Sequence, residues 1–195
     1  MIGRRCNFMG RTLAIASIVI AFACFPVPGA IADPVRQSVT FYAGPATHQY
    51  VSQIVQGHFA VDGMMLGLAY DRQLAKLSAD FSLEADIQVT HFFDGRSYST
   101  VAGGLGVRYD ASRWTGQASS FAFYTGPSYA GAATRNDGHS NRFLEYVGLE
   151  FALENINQSE WDGVIRIFHR SGAFGLYAQD ADTGSMLGIG LQRRF

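Results

Sequence analysis

The stretch Phe81-Ser82-Leu83-Glu84-Ala85-Asp86-Ile87-Gln88-Val89-Thr90 alternates between apolar and polar side chains at every position. Successive side chains of a β-strand point to opposite faces of the sheet, so one face of this strand is apolar and the other is polar. In a water-soluble sandwich the polar face would meet solvent and the apolar face a core. In a transmembrane barrel the apolar face meets lipid, and the polar face lines the interior.

Seven further segments show the same alternation less cleanly. Together the segments predict eight strands, at about 37–44, 58–70, 80–92, 98–109, 116–127, 142–154, 161–171 and 185–195. Single-chain bacterial barrels have an even number of strands, and eight enclose an interior that side chains can fill. We therefore expect an all-β fold, an eight-stranded antiparallel transmembrane β-barrel with its termini in the periplasm and its longer loops outside.

The first 32 residues have the features of a secretory signal peptide. Arg4, Arg5 and Arg11 form a basic region, and residues 13–25 form an apolar run too short to span a bilayer as a helix. Ala30-Ile31-Ala32 supplies the small residues of a cleavage site, so we expect a signal peptide over 1–32 and the barrel domain over 33–195. A lipoprotein signal with a lipidated Cys24 is the alternative, although the usual Leu three residues before that Cys is absent.

The composition of the chain beyond this segment argues against several classes of protein. Both cysteines, Cys6 and Cys24, lie in the predicted signal, so no disulfide or thiolate metal site is expected in the mature chain. The signal also holds three of the 15 Lys and Arg residues and no acid, which leaves 12 basic against 16 acidic residues and a net charge of −4. This balance gives no indication of nucleic-acid binding.

The polar faces of the predicted strands bring five charged residues into the interior: Glu84, Asp86, Arg108, Glu150 and Arg166. Because buried charges without partners are costly, these residues should pair across the barrel. We interpret them as a structural plug, and a proton or ion path is the alternative. Glu145 shares the face of Val147 and Leu149, and its place near a strand start predicts a position at the membrane interface, where a charge costs little.

His169 and Ser171 are two residues apart at the outer end of the seventh strand, so they share its predicted lipid face with Ile167. A histidine can accept the proton that makes a serine nucleophilic, although about 7 Å separates the two Cα atoms. Gly172 permits a sharp turn after Ser171, and its N–H is a candidate oxyanion donor. On pattern alone, the simpler interpretation is a pair of polar residues where a strand leaves the membrane.

Residues 167–175 (Ile-Phe-His-Arg-Ser-Gly-Ala-Phe-Gly), residues 184–191 (Gly-Ser-Met-Leu-Gly-Ile-Gly-Leu) and the final Phe195 resemble the C-terminus of the lipid A 3-O-deacylase (PagL-type) family. That family consists of eight-stranded outer-membrane barrels that hydrolyse an ester-linked acyl chain of lipid A with a His-x-Ser pair and an acidic partner. The resemblance implies that His169 is the general base and Ser171 the nucleophile.

Two positions depart from the family pattern. The family usually has Asn after the serine, where this chain has Gly172. The family's acidic residue lies near the start of the last strand, and by distance from the C-terminus that slot holds Ser185. Asp182 or Asp180 is then the candidate to orient the imidazole.

The resulting prediction is an esterase of the bacterial outer membrane that removes an acyl chain from lipid A, the lipopolysaccharide anchor in the outer leaflet. Serine acyl transfer by Ser171, His169 and Asp182 requires no cofactor. A non-enzymatic small barrel with a role in adhesion or membrane integrity is the alternative, and the missing acid of the last strand favours it. A metal-dependent modification of lipid A would need clustered ligands, whereas the His and Asp residues here are scattered and no metal site is expected.

Overall fold

The computed structural model describes residues 35–47, 49, 53–54, 56–58, 60–93, 97–131, 142–154, 156, 160–172 and 182–195. The predicted signal peptide lies outside these residues. The strands are β1 (Gln37–Thr47), β2 (Gly63–Lys76), β3 (Phe81–Phe93), β4 (Tyr98–Asp110), β5 (Ser119–Ala130), β6 (Phe143–Leu153), β7 (Trp161–Ser171) and β8 (Asp182–Arg194). A short helix, α1 (Ser112–Thr115), precedes β5. None of the helical segments described here has the length and hydropathy of a membrane-spanning helix.

Each strand pairs antiparallel with the next, and β8 pairs with β1, which closes the sheet into a barrel. The predicted fold class and number of strands are therefore confirmed. The prediction for β2 is wrong at both ends, since the strand runs from Gly63 to Lys76. It continues past Tyr70 because Asp71 faces the interior and Arg72 pairs with Ala85 of β3.

The outer surface of the barrel is apolar. Along β2, Met64, Leu66 and Leu68 are exposed, whereas Met65 and Gly67 between them are buried. Other strands expose large apolar side chains in the same way, namely Phe41, Leu105, Val107, Phe121, Phe123, Leu149, Ile165, Ile189 and Leu191. An apolar exterior around a polar interior is typical of a barrel that sits in a bilayer.

The interior contains a network of buried ion pairs. Arg108 donates from Nε to Glu84 Oε2 and from Nη2 to Glu150 Oε1, both at 2.8 Å. Arg166 donates from Nη1 to Glu150 Oε2 at 3.1 Å and from Nη2 to Asp86. All five side chains are less than 4% exposed, and the predicted pairing across the barrel is confirmed.

Sequence reasoning missed a sixth charge in this network. Asp71 is buried and lies 3.8 Å from Arg166 Nη2. It was missed because the polar residues around it resemble a turn. Tyrosines fill the remaining space. The Tyr124 hydroxyl donates to Glu84 at 2.8 Å, and the Tyr42 ring occupies the space that a side chain at Gly67 would need. A packed interior of this kind supports the structural-plug interpretation.

The two ends of the barrel differ. The connections after β1, β3, β5 and β7 cover residues 48–62, 94–97, 131–142 and 172–181, whereas those after β2, β4 and β6 cover 77–80, 111–118 and 154–160, and the three longest at the first end exceed all those at the second. Because outer-membrane barrels carry their longer loops outside, the first set marks the outer end. The other end carries an aromatic cluster in which Tyr109 contacts Phe81 and Trp114.

Candidate functional site

Strand register brings His169 and Ser171 into two adjacent rows of residues near the outer end of the barrel. The rows cross β6, β7 and β8, and they consist of Val147, His169 and Ser185 in one and of Glu145, Ser171 and Asp182 in the next. His169 and Ser171 lie on the outward face of β7, as predicted from their shared parity with Ile165. Both side chains are half-buried.

His169 contacts a hydroxyl on the neighbouring strand. Its Nδ1 lies 3.1 Å from Ser185 Oγ, and Ser185 is fully buried. When Nδ1–H donates to this hydroxyl, the lone pair of the neutral ring sits on Nε2. In that tautomer Nε2 is the nitrogen of His169 that can accept a proton.

Ser171 contacts a carboxylate on the other side of β7. Its Oγ donates to Glu145 Oε2 at 3.4 Å, and Thr125 Oγ1 of β5 donates to Glu145 Oε1 at 3.0 Å. Glu145 on β6 thus accepts hydrogen bonds from hydroxyl groups on both neighbouring strands, β5 and β7. Sequence reasoning explained this residue as an interfacial charge and missed the contact. A charged residue at a lipid-facing position of the strand was the feature that could have drawn attention to Glu145. Its contact with Ser171 depends on the register between β6 and β7, which the sequence does not give.

A β-bulge shapes the start of β8. His169 lies opposite Ser185, but Arg170 lies opposite Thr183, so Gly184 is an extra residue in β8. The bulge places the backbone of Asp182, rather than that of Thr183, opposite Ser171. The Asp182 side chain and the whole of Asp180 lie outside the described residues, and the proposed acidic role of either stays a prediction.

Gly172, the predicted oxyanion donor, directly follows the last residue of β7 and is buried. Gly172 therefore lies next to Ser171 at the point where β7 ends. The role of its N–H stays a prediction.

A second His–Ser contact lies elsewhere on the barrel wall. His91 Nδ1 of β3 is 2.9 Å from Ser99 Oγ of β4, and the His91 ring packs edge-on against Phe93. This pair also lies near the outer end, but it has no counterpart in the family pattern at the C-terminus. It shows that a His–Ser contact forms here without that pattern, and it supplies matched control residues for experiments.

An apolar groove of about 500 Å³ runs along the outer wall across β3 to β7. Ile165 and Ile167 of β7 line one side, and Leu149 of β6 and Phe123 of β5 lie beside them. Ile167 precedes His169 by two residues on the same face, so the groove begins directly below the polar rows.

No family model matches the sequence, and no curated protein matches it. Solved structures match its fold. The crystal structure of the outer membrane enzyme PagL superposes with a TM-score of 0.58 at 14% identity, covering 80% of this chain and 98% of that one. The fold is that of a small outer-membrane barrel.

Two further structures were matched with lower scores. The backbone structure of the Yersinia pestis outer membrane protein Ail in a phospholipid nanodisc has a TM-score of 0.49 at 10% identity, covering 83% of this chain and all of that one. The solid-state NMR structure of the outer membrane protein AlkL in DMPC bilayers has a TM-score of 0.38 at 10% identity, with coverages of 88% and 95%. At these identities the likenesses concern the fold and leave activity open.

Proposed function

We propose that this protein is an esterase of the bacterial outer membrane that removes an ester-linked acyl chain from lipid A in the outer leaflet. The observation that carries the proposal is the outward placement of His169 and Ser171 at the outer end of an apolar barrel wall. A base and a nucleophile in that place meet the ester groups of outer-leaflet lipid. The fold shared with the outer membrane enzyme PagL supports the proposed location.

The proposed chemistry is serine acyl transfer. Ser171 Oγ attacks the ester carbonyl carbon while its proton passes to His169, and the C–O bond to the sugar breaks as His169 returns the proton to the leaving oxygen. Water then attacks the acyl–serine ester, loses its proton to His169 and releases the fatty acid. The proton passes back to Ser171 Oγ and regenerates the site.

Two further groups complete the proposed site. The N–H of Gly172 is the candidate donor to the oxyanion that forms on the carbonyl oxygen. Asp182 is the candidate acid, because its backbone lies opposite Ser171 and a carboxylate beside the imidazole would stabilise the imidazolium. The groove below His169 offers apolar contacts for the acyl chain, since Ile167 and Leu149 line it.

Purified, folded protein incubated with lipopolysaccharide tests this proposal. We expect lipid A to lose the mass of one acyl chain, with the matching fatty acid in solution. Ser171→Ala should abolish both signals, whereas Ser99→Ala removes the hydroxyl of the second His–Ser pair and should leave both intact. Unchanged lipid A with folded wild-type protein would count against the proposal.

A non-enzymatic barrel with a role in adhesion or membrane integrity is the second candidate. The His91–Ser99 contact favours it, because a His–Ser contact also forms on β3 and β4, away from the proposed site. This candidate predicts that His169→Ala and Ser171→Ala leave the cellular phenotype unchanged.

A further inference from the structure

We propose that Glu145 accepts the proton of Ser171, as a second base beside His169. The inference rests on the proposed function, because it names a further catalytic residue of the same site. Ser171 Oγ donates its hydrogen bond to Glu145 Oε2, so the proton already points at this carboxylate. The 3.4 Å separation is long, as catalytic contacts often are before substrate binds.

The surroundings of Glu145 hold its carboxylate in place. The Thr125 hydroxyl binds Oε1 at 3.0 Å, which leaves Oε2 directed at Ser171. A hydrogen bond to a charged acceptor is roughly twice as strong as one between neutral groups. The carboxylate therefore has a fixed orientation toward the nucleophile.

The position of Glu145 also calls for a function. It is half-buried on the outward face of β6, between the apolar side chains of Phe143 and Val147. An ionisable residue on the lipid-facing side of a membrane strand is by default a candidate functional residue with a named partner. The named partners here are Thr125 and Ser171.

The proposed step balances with Glu145 alone. Ser171 Oγ forms its bond to the carbonyl carbon as its proton moves to Glu145 Oε2, and the leaving sugar oxygen takes that proton as its bond to carbon breaks. Water later gives a proton to Glu145 as it attacks the acyl carbon, and Ser171 Oγ recovers the proton when the acyl–serine bond breaks. His169 is a second acceptor for the same proton.

The groups that face Glu145 in the described structure come from the strands on both sides of β6. β5 and β7 present its neighbours on the outward face, and these are Thr125, Pro127, Tyr129, His169 and Ser171. Of these, His169 is the other group that can accept the proton of Ser171. A serine activated by His169 alone should keep its reactivity when Glu145 is replaced, whereas a serine that also depends on Glu145 should lose most of it.

The test measures how fast a small fluorophosphonate labels Ser171 in the folded full-length protein, with the labelled residue identified by mass spectrometry. We expect Glu145→Gln to slow labelling about 10²-fold and Thr125→Val to slow it less. Glu160→Gln, an exposed glutamate paired with Arg193 at the other end, is the matched control.

The outcomes separate the two proposals. Wild-type labelling at an unchanged rate in folded Glu145→Gln would overturn the role of Glu145 and leave the esterase proposal standing. An unchanged labelling rate in folded Thr125→Val would do the same, so the test holds even if Glu145→Gln does not fold. If Ser171 is labelled but lipopolysaccharide stays unchanged, only the proposal that lipid A is the substrate is wrong. The absence of both labelling and lipid A hydrolysis would overturn both proposals.

Discussion

His169 Nδ1 lies 3.1 Å from Ser185 Oγ, so the position of the last strand nearest the imidazole holds a neutral hydroxyl. A hydroxyl can fix the tautomer of the ring, but it brings no negative charge to an imidazolium. We expect Ser185→Asp to raise the rate of ester hydrolysis about tenfold, because a carboxylate there stabilises the charged ring. Initial rates of fatty acid release measure the effect.

Ser99→Asp places the same new carboxylate beside His91 on the opposite wall and is the matched control for this prediction. It should leave the rate unchanged. A folded Ser185→Asp protein that hydrolyses no faster than wild type would show that charge at this position does not limit catalysis.

The interior network makes Arg166 the most sensitive side chain for stability. It is fully buried and pairs with Glu150, Asp86 and Asp71, so its loss leaves three carboxylates short of a partner. We expect Arg166→Met to lower the free energy of unfolding by about 3–5 kcal/mol. Urea unfolding in detergent, followed by the gel mobility of the folded barrel, measures it.

Arg193→Met tests the opposite case, since Arg193 pairs with Glu160 at the exposed end of the barrel. Exposed pairs contribute little, so its unfolding midpoint should stay close to that of wild type. If Arg166→Met and Arg193→Met lowered the free energy of unfolding equally, the interior ion pairs would not be what stabilises this barrel.

Glu154, just beyond the end of β6, gives a pH dependence to stability. It accepts hydrogen bonds from Arg36 at 3.0 Å and Arg194 at 2.9 Å. Burial raises the pKa of Glu154, but the two arginines outweigh it and hold the pKa below its ordinary value of 4.5. Unfolded chains therefore take up the proton first, so the stabilisation is complete above pH 4.5 and is lost as the pH falls through the lower folded-state value.

The stability difference between wild type and Glu154→Gln measures this contribution, because other acids titrate in both proteins. The difference should be largest near neutral pH and should shrink as the solution is acidified. Glu160→Gln, whose side chain is exposed, should show a difference that stays small throughout. If the stability difference between wild type and Glu154→Gln grew on acidification, folding would raise the pKa of Glu154 instead of lowering it, and the assignment would be refuted.

Alternation was sufficient to predict the barrel because membrane strands separate lipid-facing from interior residues at every second position. The segment 81–90 shows this most clearly, and β3 runs from Phe81 to Phe93, one residue later than the predicted 80–92 at each end. β2 was harder to place, since Asp71, Arg72 and Gln73 read as a turn. They continue the strand because Asp71 meets Arg166, a partner that lies far away in sequence.

The candidate site could be predicted only in part, for a similar reason. The shared face of His169 and Ser171 follows from strand periodicity alone. Their partners depend on how β6 and β8 align with β7, and local sequence does not determine that alignment. Glu145 reaches Ser171 through the β6–β7 register, and the extra residue Gly184 changes which residue of β8 lies opposite Ser171.

The mass spectrum of lipid A from cells that express this protein, beside cells that express Ser171→Ala, tests the central claim most directly. The proposed esterase should remove the mass of one acyl chain in the first case and none in the second, with both proteins folded in the outer membrane. Identical spectra from the two strains would contradict the account and favour a barrel without this chemistry.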